Sequence, residues 1–290
     1  MAVIKPTRVQ FRMLKAICTE GEMAFRDARA GQTRPMNPTK VEASRRHMAL
    51  RVSLESAAVA GGVPQEWISQ ARARGDLGMK WRRDLHWRDP TPISRSTLLT
   101  ALGEDAFTVL GTAAVAAAHG ERGARAEVGT AQLFDRKFIM ITNRFRALMN
   151  LLDVTPAEAS SWNDQRLWSA VADTVRNAGP SEVADWWRSY ARQDRTEHEW
   201  QARALQHAGI TAAAGEHVFP TAEQIRQRMA QVLATSSPPD PSSDRAGGRA
   251  IAAAIKIAGV TSEAAGDLDT GTTSLPLEPQ GWTANSELER

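Results

Sequence analysis

With 290 residues, of which 42% are hydrophobic and 24% charged, the chain has the composition of an ordinary globular protein of one or two domains. Its single cysteine, Cys18, excludes an intrachain disulfide and a cysteine-based zinc site, and the longest apolar run, Phe107 to Ala118, is shorter than the roughly 20 residues that span a bilayer. The net charge of +3 hides an asymmetry: residues 1–100 carry 18 Lys and Arg against 9 Asp and Glu, residues 101–200 carry 11 against 14, and residues 201–290 carry 7 against 10. A basic front third of this kind suggests a surface for phosphates; the plainer reading is a solvated basic face without a partner.

The opening residues, MAVIKPTRVQFRMLK, lack the uninterrupted apolar core of a signal peptide, so a cytoplasmic protein is expected. Residues 1–34 show only a short helical pattern around Val9 to Ala16. Met36-Asn37-Pro38 is a breaker. Thr39 with Glu42 three residues later has the form of a capping box, which predicts a helix from there to Ala60. Gly61-Gly62 ends it, and Pro64 suits the first turn of a second helix running to Arg74. Residues 78–92 have no period and contain Pro90 and Pro92, which predicts a loop or extended arm.

Ser94 opens a long helix to about His119. Another covers 130–152, with a broad apolar stripe through Leu133, Phe134, Phe138, Ile141, Phe145, Leu148, Met149 and Leu152. Thr155-Pro156-Ala157-Glu158 is a capping box with proline at the first helical position. Helices are expected at 156–177, 181–208 and from a capping box at Thr221 to about Ala234. The segment SSPPDPSSDRAGG has linker composition, Ala250 to Ala258 has the pattern of a short helix, and the last thirty residues have the composition of a disordered tail. No stretch alternates long enough to demand a strand. The expected fold is therefore all-α: an antiparallel helical bundle with an N-terminal helical hairpin and a disordered C-terminal tail. Its regions would be 1–93 (basic), 94–235 (bundle) and 236–290 (linker and tail).

The most informative stretch is Leu54 to Arg74, LESAAVAGGVPQEWISQARAR. Two helices crossing closely at a tight turn need a small residue on the first, a glycine where the backbone turns left-handed, and branched apolar residues after the turn and along the second helix. Ala58, Gly62, Val63 and Ile68 occupy those positions. Their spacing resembles the helix-turn-helix DNA-binding superfamily over about twenty residues. The resemblance implies that residues 64–74 form a recognition helix, in which Gln65 and Gln70 would pair with adenine, Ser69 would contact either base or backbone, and Arg72 or Arg74 would meet guanine or phosphate. The alternative is a plain helical hairpin.

Directly after it, Lys80-Trp81-Arg82-Arg83-Asp84-Leu85-His86-Trp87-Arg88 alternates cations with tryptophans. Lys80, Arg82, Arg83 and Arg88 are candidate phosphate contacts. Trp81 and Trp87 either stack on unpaired bases or anchor the loop on the bundle. Arg45, Arg46 and Arg51, with His47, would extend the basic surface from the preceding helix. Trp162, Trp168, Trp186, Trp187 and Trp200 concentrate in the second half, as core or as a protein interface.

No sequence site for catalysis emerges. His198-Glu199 begins like a zinc-protease motif but lacks the second histidine. His198 and His207, and the carboxylates Asp194, Glu197 and Glu199, read as solvated. There is no Walker loop and no Gly-x-Ser-x-Gly elbow. No catalytic residue, metal or cofactor is expected. The sequence points to a DNA-binding or DNA-associated accessory protein using its basic helical N-terminal surface. The alternatives are a helical scaffold acting through a homo-oligomer or a helical partner, and an enzyme whose groups converge only in space.

Overall fold

The computed structural model describes residues 5–32, 37–121, 128–212 and 219–235. Among these residues there are no strands and ten helices: α1 (Arg8–Gly31), α2 (Pro38–Ala60), α3 (Gln65–Asp76), α4 (Arg95–Glu121), α5 (Val128–Leu151), α6 (Pro156–Asn163), α7 (Gln165–Asn177), α8 (Pro180–Arg192), α9 (Thr196–His207) and α10 (Ala222–Thr235). The all-α bundle follows as expected. The tail from 236 to 290, with its expected short helix at 250–258, lies outside the described residues.

Several ends are set by the residues that predicted them. The Thr155–Glu158 and Thr221–Gln224 boxes both close. α2 ends where Gly62 turns to φ +72° and the Val63 amide donates back to the Ala58 carbonyl at 2.9 Å. This is the left-handed stop that glycine adopts without a Cβ clash.

Other ends differ from expectation for identifiable reasons. α1 is 24 residues long, not a short pattern around 9–16. It starts on a Thr7–Gln10 capping box, and its inward-facing Glu20 and Glu22 interrupt the apolar period. α2 starts on Asn37, whose side chain accepts from the Lys40 amide at 3.3 Å, so the Thr39 box does not form. The expected helix at 156–177 is two helices, because Asp164 turns extended and caps the Arg166 amide at 2.8 Å. The expected helix at 181–208 breaks at 193–195. There Asp194 caps the Thr196 amide, and Lys137 reaches over from α5 to the carbonyls of Ala191 and Gln193 at 2.7 and 2.5 Å. These donors satisfy carbonyls that the end of α8 leaves open.

α4 is the one described helix long and apolar enough to cross a membrane. Its buried residues, among them Leu102, Val109 and Leu110, pack against α5, α7, α8 and α10. In the front third, α1 lies along both α2 and α3. α1 and α3 meet at Gly21 and Gly75, where a Cβ on Gly75 would stand 2.7 Å from the Cys18 carbonyl oxygen. α2 also packs on α9, and the turn after it sits on Leu98, Leu151 and Leu152. One continuous hydrophobic cluster therefore runs through the regions on either side of residue 93.

Candidate functional site

The hairpin positions chosen from sequence behave as their chemistry requires. Ala58, Val63 and Ile68 are buried and Gly62 is left-handed. The turn itself, however, is docked: a Cβ on Gly61 would strike Leu151, and one on Gly62 would strike Leu98 and Leu152. The leading end of α3 therefore stands beside the bundle.

One face of α3 is covered by the chain that follows it. Glu66, Gln70 and Arg74 recur every four residues and so project from one side of the helix. Each holds residues 79–91, the arm. Glu66 accepts from the Thr91 hydroxyl, which holds its carboxyl below the usual range. Gln70 donates from Nε2 to the His86 carbonyl at 2.6 Å and accepts at Oε1 from the Arg88 amide at 3.3 Å. Arg74 donates from Nε to the Lys80 carbonyl at 2.7 Å. Trp67, buried between these positions, donates from Nε1 to the Arg88 carbonyl at 2.8 Å. Rings complete the clasp: Trp87 lies 6.0 Å from Trp67 and 5.9 Å from Trp81, and Trp81 meets Phe11 of α1 edge-on at 5.0 Å. The tryptophans anchor the arm, one of the two roles open to them from sequence.

The cations expected to form one basic surface fall into three groups. Arg45 and Arg46 are 76% and 78% exposed and share Glu42. They lie toward the C-terminal end of α1, since Ser44 donates to the Ala24 carbonyl while the arm meets Phe11. Thirteen residues of helix between Phe11 and Ala24 amount to about 20 Å. The second group is neutralised between α2 and α3: Arg72 grips Glu55, and Arg51 pairs with Asp76 and lies 3.6 Å from Glu55. The third group is the arm. Arg82 is held by Asp84 at 3.0 and 2.5 Å, whereas Lys80, Arg83 and Arg88 are exposed and have no ion-pair partner among the described residues. Gln65 is exposed and Ser69 half-buried on the part of α3 that the arm leaves open.

The first turns of α1 add cations that the sequence alone did not single out. Arg8, Arg12 and Lys15 fall on one helix face, a spacing visible in the sequence. Arg8 and Lys15 are exposed and unpaired among the described residues, and Arg12 reaches only the Gly209 carbonyl, at 3.5 Å. Between this end of α1 and the arm lies a cleft of about 380 Å³, with Lys5, Arg83, His86 and the Arg82-paired Asp84 around it and Phe11 and Trp87 as its aromatic walls. Its shape offers positive charge on an apolar floor, which suits an anionic chain or headgroup.

Of the two histidines expected to be solvated, His207 is exposed but hydrogen-bonded, and His198 is half-buried. His207 donates or accepts at 2.7 Å with Glu20, and His47 meets the other oxygen of the same carboxylate at 2.7 Å. Glu20 is buried, so one carboxylate ties α1 to α2 and α9. His198 is half-buried, and loss of solvent pulls its pKa down, helped by the nearby Arg144. Arg144 is itself buried, donating to Asp105 and Gln201 at 2.6 Å each, and Gln201 continues to Ser56 at 2.7 Å. Arg144, Asp105, Gln201 and Ser56 thus each have a protein partner, as a structural network requires. Among the described residues no group of His, Cys, Asp and Glu side chains could hold a metal ion.

No family model, curated protein or solved structure matches the chain. What the site can do rests on its own charges and contacts.

Proposed function

We propose that this protein binds the phosphate backbone of nucleic acid, DNA first, as an accessory protein, through the face built from the first turns of α1 and the arm. The observation that carries this reading is the distribution of unpaired charge. Elsewhere in the front third, Arg46, Arg51 and Arg72 are matched by carboxylates, while Lys5, Arg8, Lys15, Lys80, Arg83 and Arg88, at the start of α1 and on the arm, have no ion-pair partner among the described residues, and Lys5 and Arg83 line one cleft. Unmatched guanidinium and ammonium groups release counterions when they meet phosphates, which gives affinity without demanding a sequence. Because Gln70 and Arg74 hold the arm, backbone contact is favoured over base reading by α3.

The test is a salt titration of labelled duplex and single-stranded DNA followed by fluorescence anisotropy. Affinity should fall between about 50 and 200 mM salt, and replacing Lys80, Arg83 and Arg88 together by alanine should flatten the logarithmic slope by about 0.9 for each phosphate no longer neutralised. Arg45→Ala with Arg46→Ala should leave the slope unchanged. Absence of salt-dependent binding at low ionic strength refutes the reading.

A second reading, a helical adaptor, is favoured by a different observation. Met48, Val52 and Val59 on α2 and Trp200 on α9 are exposed, and an apolar groove of about 540 Å³ runs between Val52 and Trp200. Exposed apolar surface of this kind suits a partner helix or a second copy. Light scattering coupled to size exclusion tests it: a strict monomer that captures no partner counts against it.

A further inference from the structure

We infer that a cleft between α5 and α9, away from the arm, is a binding site for a small organic anion with an apolar body. The cleft has a volume of about 730 Å³, within the range of small-molecule pockets. It is lined by a stripe of α5 that includes Arg136, Met140 and Arg146, and by Arg203 and Leu205 of α9, with Ile210 closing one end.

Its charge is one-sided, with three arginines and no carboxylate among the described residues of the lining. Arg136 and Arg203 share a single acid outside it, Glu199, at 3.8 and 3.3 Å. Arg146 has none among the described residues. Its Nε donates to the Phe219 carbonyl at 2.9 Å, and burial alone pulls its pKa down. A half-buried guanidinium held in place by one backbone bond, with both terminal nitrogens unengaged among the described residues, presents the forked donor that carboxylate, sulfonate and phosphate groups accept. Asn143 and Gln206 add neutral donors to the same lining.

The remaining wall decides the rest of the ligand. Leu205 and Ile210 are buried beneath the cleft, and Ile139 stands 46% exposed at its side. A bare inorganic oxyanion would leave that surface wet, whereas an alkyl or aryl body attached to the anionic group would cover it. The ligand class is therefore an amphiphilic acid rather than free phosphate. Such binding is independent of nucleic acid, because none of the arm residues lines the cleft.

The probe is 8-anilinonaphthalene-1-sulfonate, which carries an anionic group on an aromatic body and fluoresces when shielded from water. Added to the full chain, it should show one saturable site, displaced by decanoate and not by equal inorganic phosphate. Arg146→Met and, separately, the exposed-site change Arg203→Glu should each weaken it by about tenfold or more, the scale of losing a charge-assisted hydrogen bond. Both variants should keep their helical circular dichroism. Val52→Asp, in the other groove, should leave the probe signal unchanged. The inference is overturned if the signal survives both arginine changes, if it follows Val52→Asp, if phosphate competes as well as decanoate, or if neither probe nor decanoate binds.

Discussion

Gln70 distinguishes two accounts of α3. If it clamps the arm, Gln70→Ala removes one hydrogen bond at 2.6 Å and another at 3.3 Å, and leaves the His86 carbonyl and the Arg88 amide to water. Both bonds are near the surface, so each contributes toward the middle of the usual net range, and together about 1–2 kcal/mol. The rings of Trp67 and Trp87 and the bonds from Trp67 and Arg74 remain, so the arm should open locally while the bundle stays folded. An opening equilibrium shifted by that amount speeds exchange by a factor of about 5–30. Hydrogen exchange of the amides in residues 81–91, read by mass spectrometry, should report it, while DNA affinity should change little for any sequence, because the closed arm remains the dominant state. The clamp is refuted if exchange across the arm is unchanged while preference at a single base pair is lost, for then Gln70 reads bases.

Gly75→Ala should destabilise the protein by about 1–3 kcal/mol despite the better helix propensity of alanine, because the new Cβ meets the Cys18 carbonyl and the Gly21 backbone, neither of which can rotate away; a thermal melt that rises would contradict this. Burial pushes the Cys18 thiol up to about 11, so a disulfide reagent at pH 8 should leave it unmodified in the native protein and label it after denaturation. Arg95 together with the Thr155 cap holds Glu158 down at about 2, against an ordinary 4.5. Its folded value is depressed, so its contribution is present above about pH 4.5 and is lost as the pH falls through about 2. The melting-temperature gap between the native chain and Glu158→Gln should therefore be constant at neutral pH and close across that acid window; a gap that persists at pH 2 would disprove the linkage.

What the sequence revealed depended on how far apart the interacting groups lie. Caps act over three residues, so Thr155–Glu158 and Thr221–Gln224 could be read directly, and the left-handed Gly62 was apparent from its place after Ala60. α1 was underestimated because the groups that satisfy Glu20 come from His47 and His207, and a buried carboxylate with distant partners looks like solvated surface in a periodicity count. The clamp on the arm was invisible for a related reason. Gln70, Trp67 and Arg74 bond to backbone carbonyls, which every residue possesses, so no pairing of residue types marks the contact. Charge counting suggested a single basic face, but it cannot distinguish Arg72, gripped by Glu55, from Arg83, which has no ion-pair partner among the described residues because Asp84 is held by Arg82.

Glu20 also bears on how the molecule comes to be assembled. A ribosome delivers it 187 positions before His207, and from the arrival of His47, 27 positions on, until that point an acid destined for the interior has half its final company. A truncated product ending near residue 93 would keep His47 but carry one orphaned oxygen and the bare underside of α2. The front third is thus finished only by the back, and the whole length up to α10 should melt as a single cooperative unit.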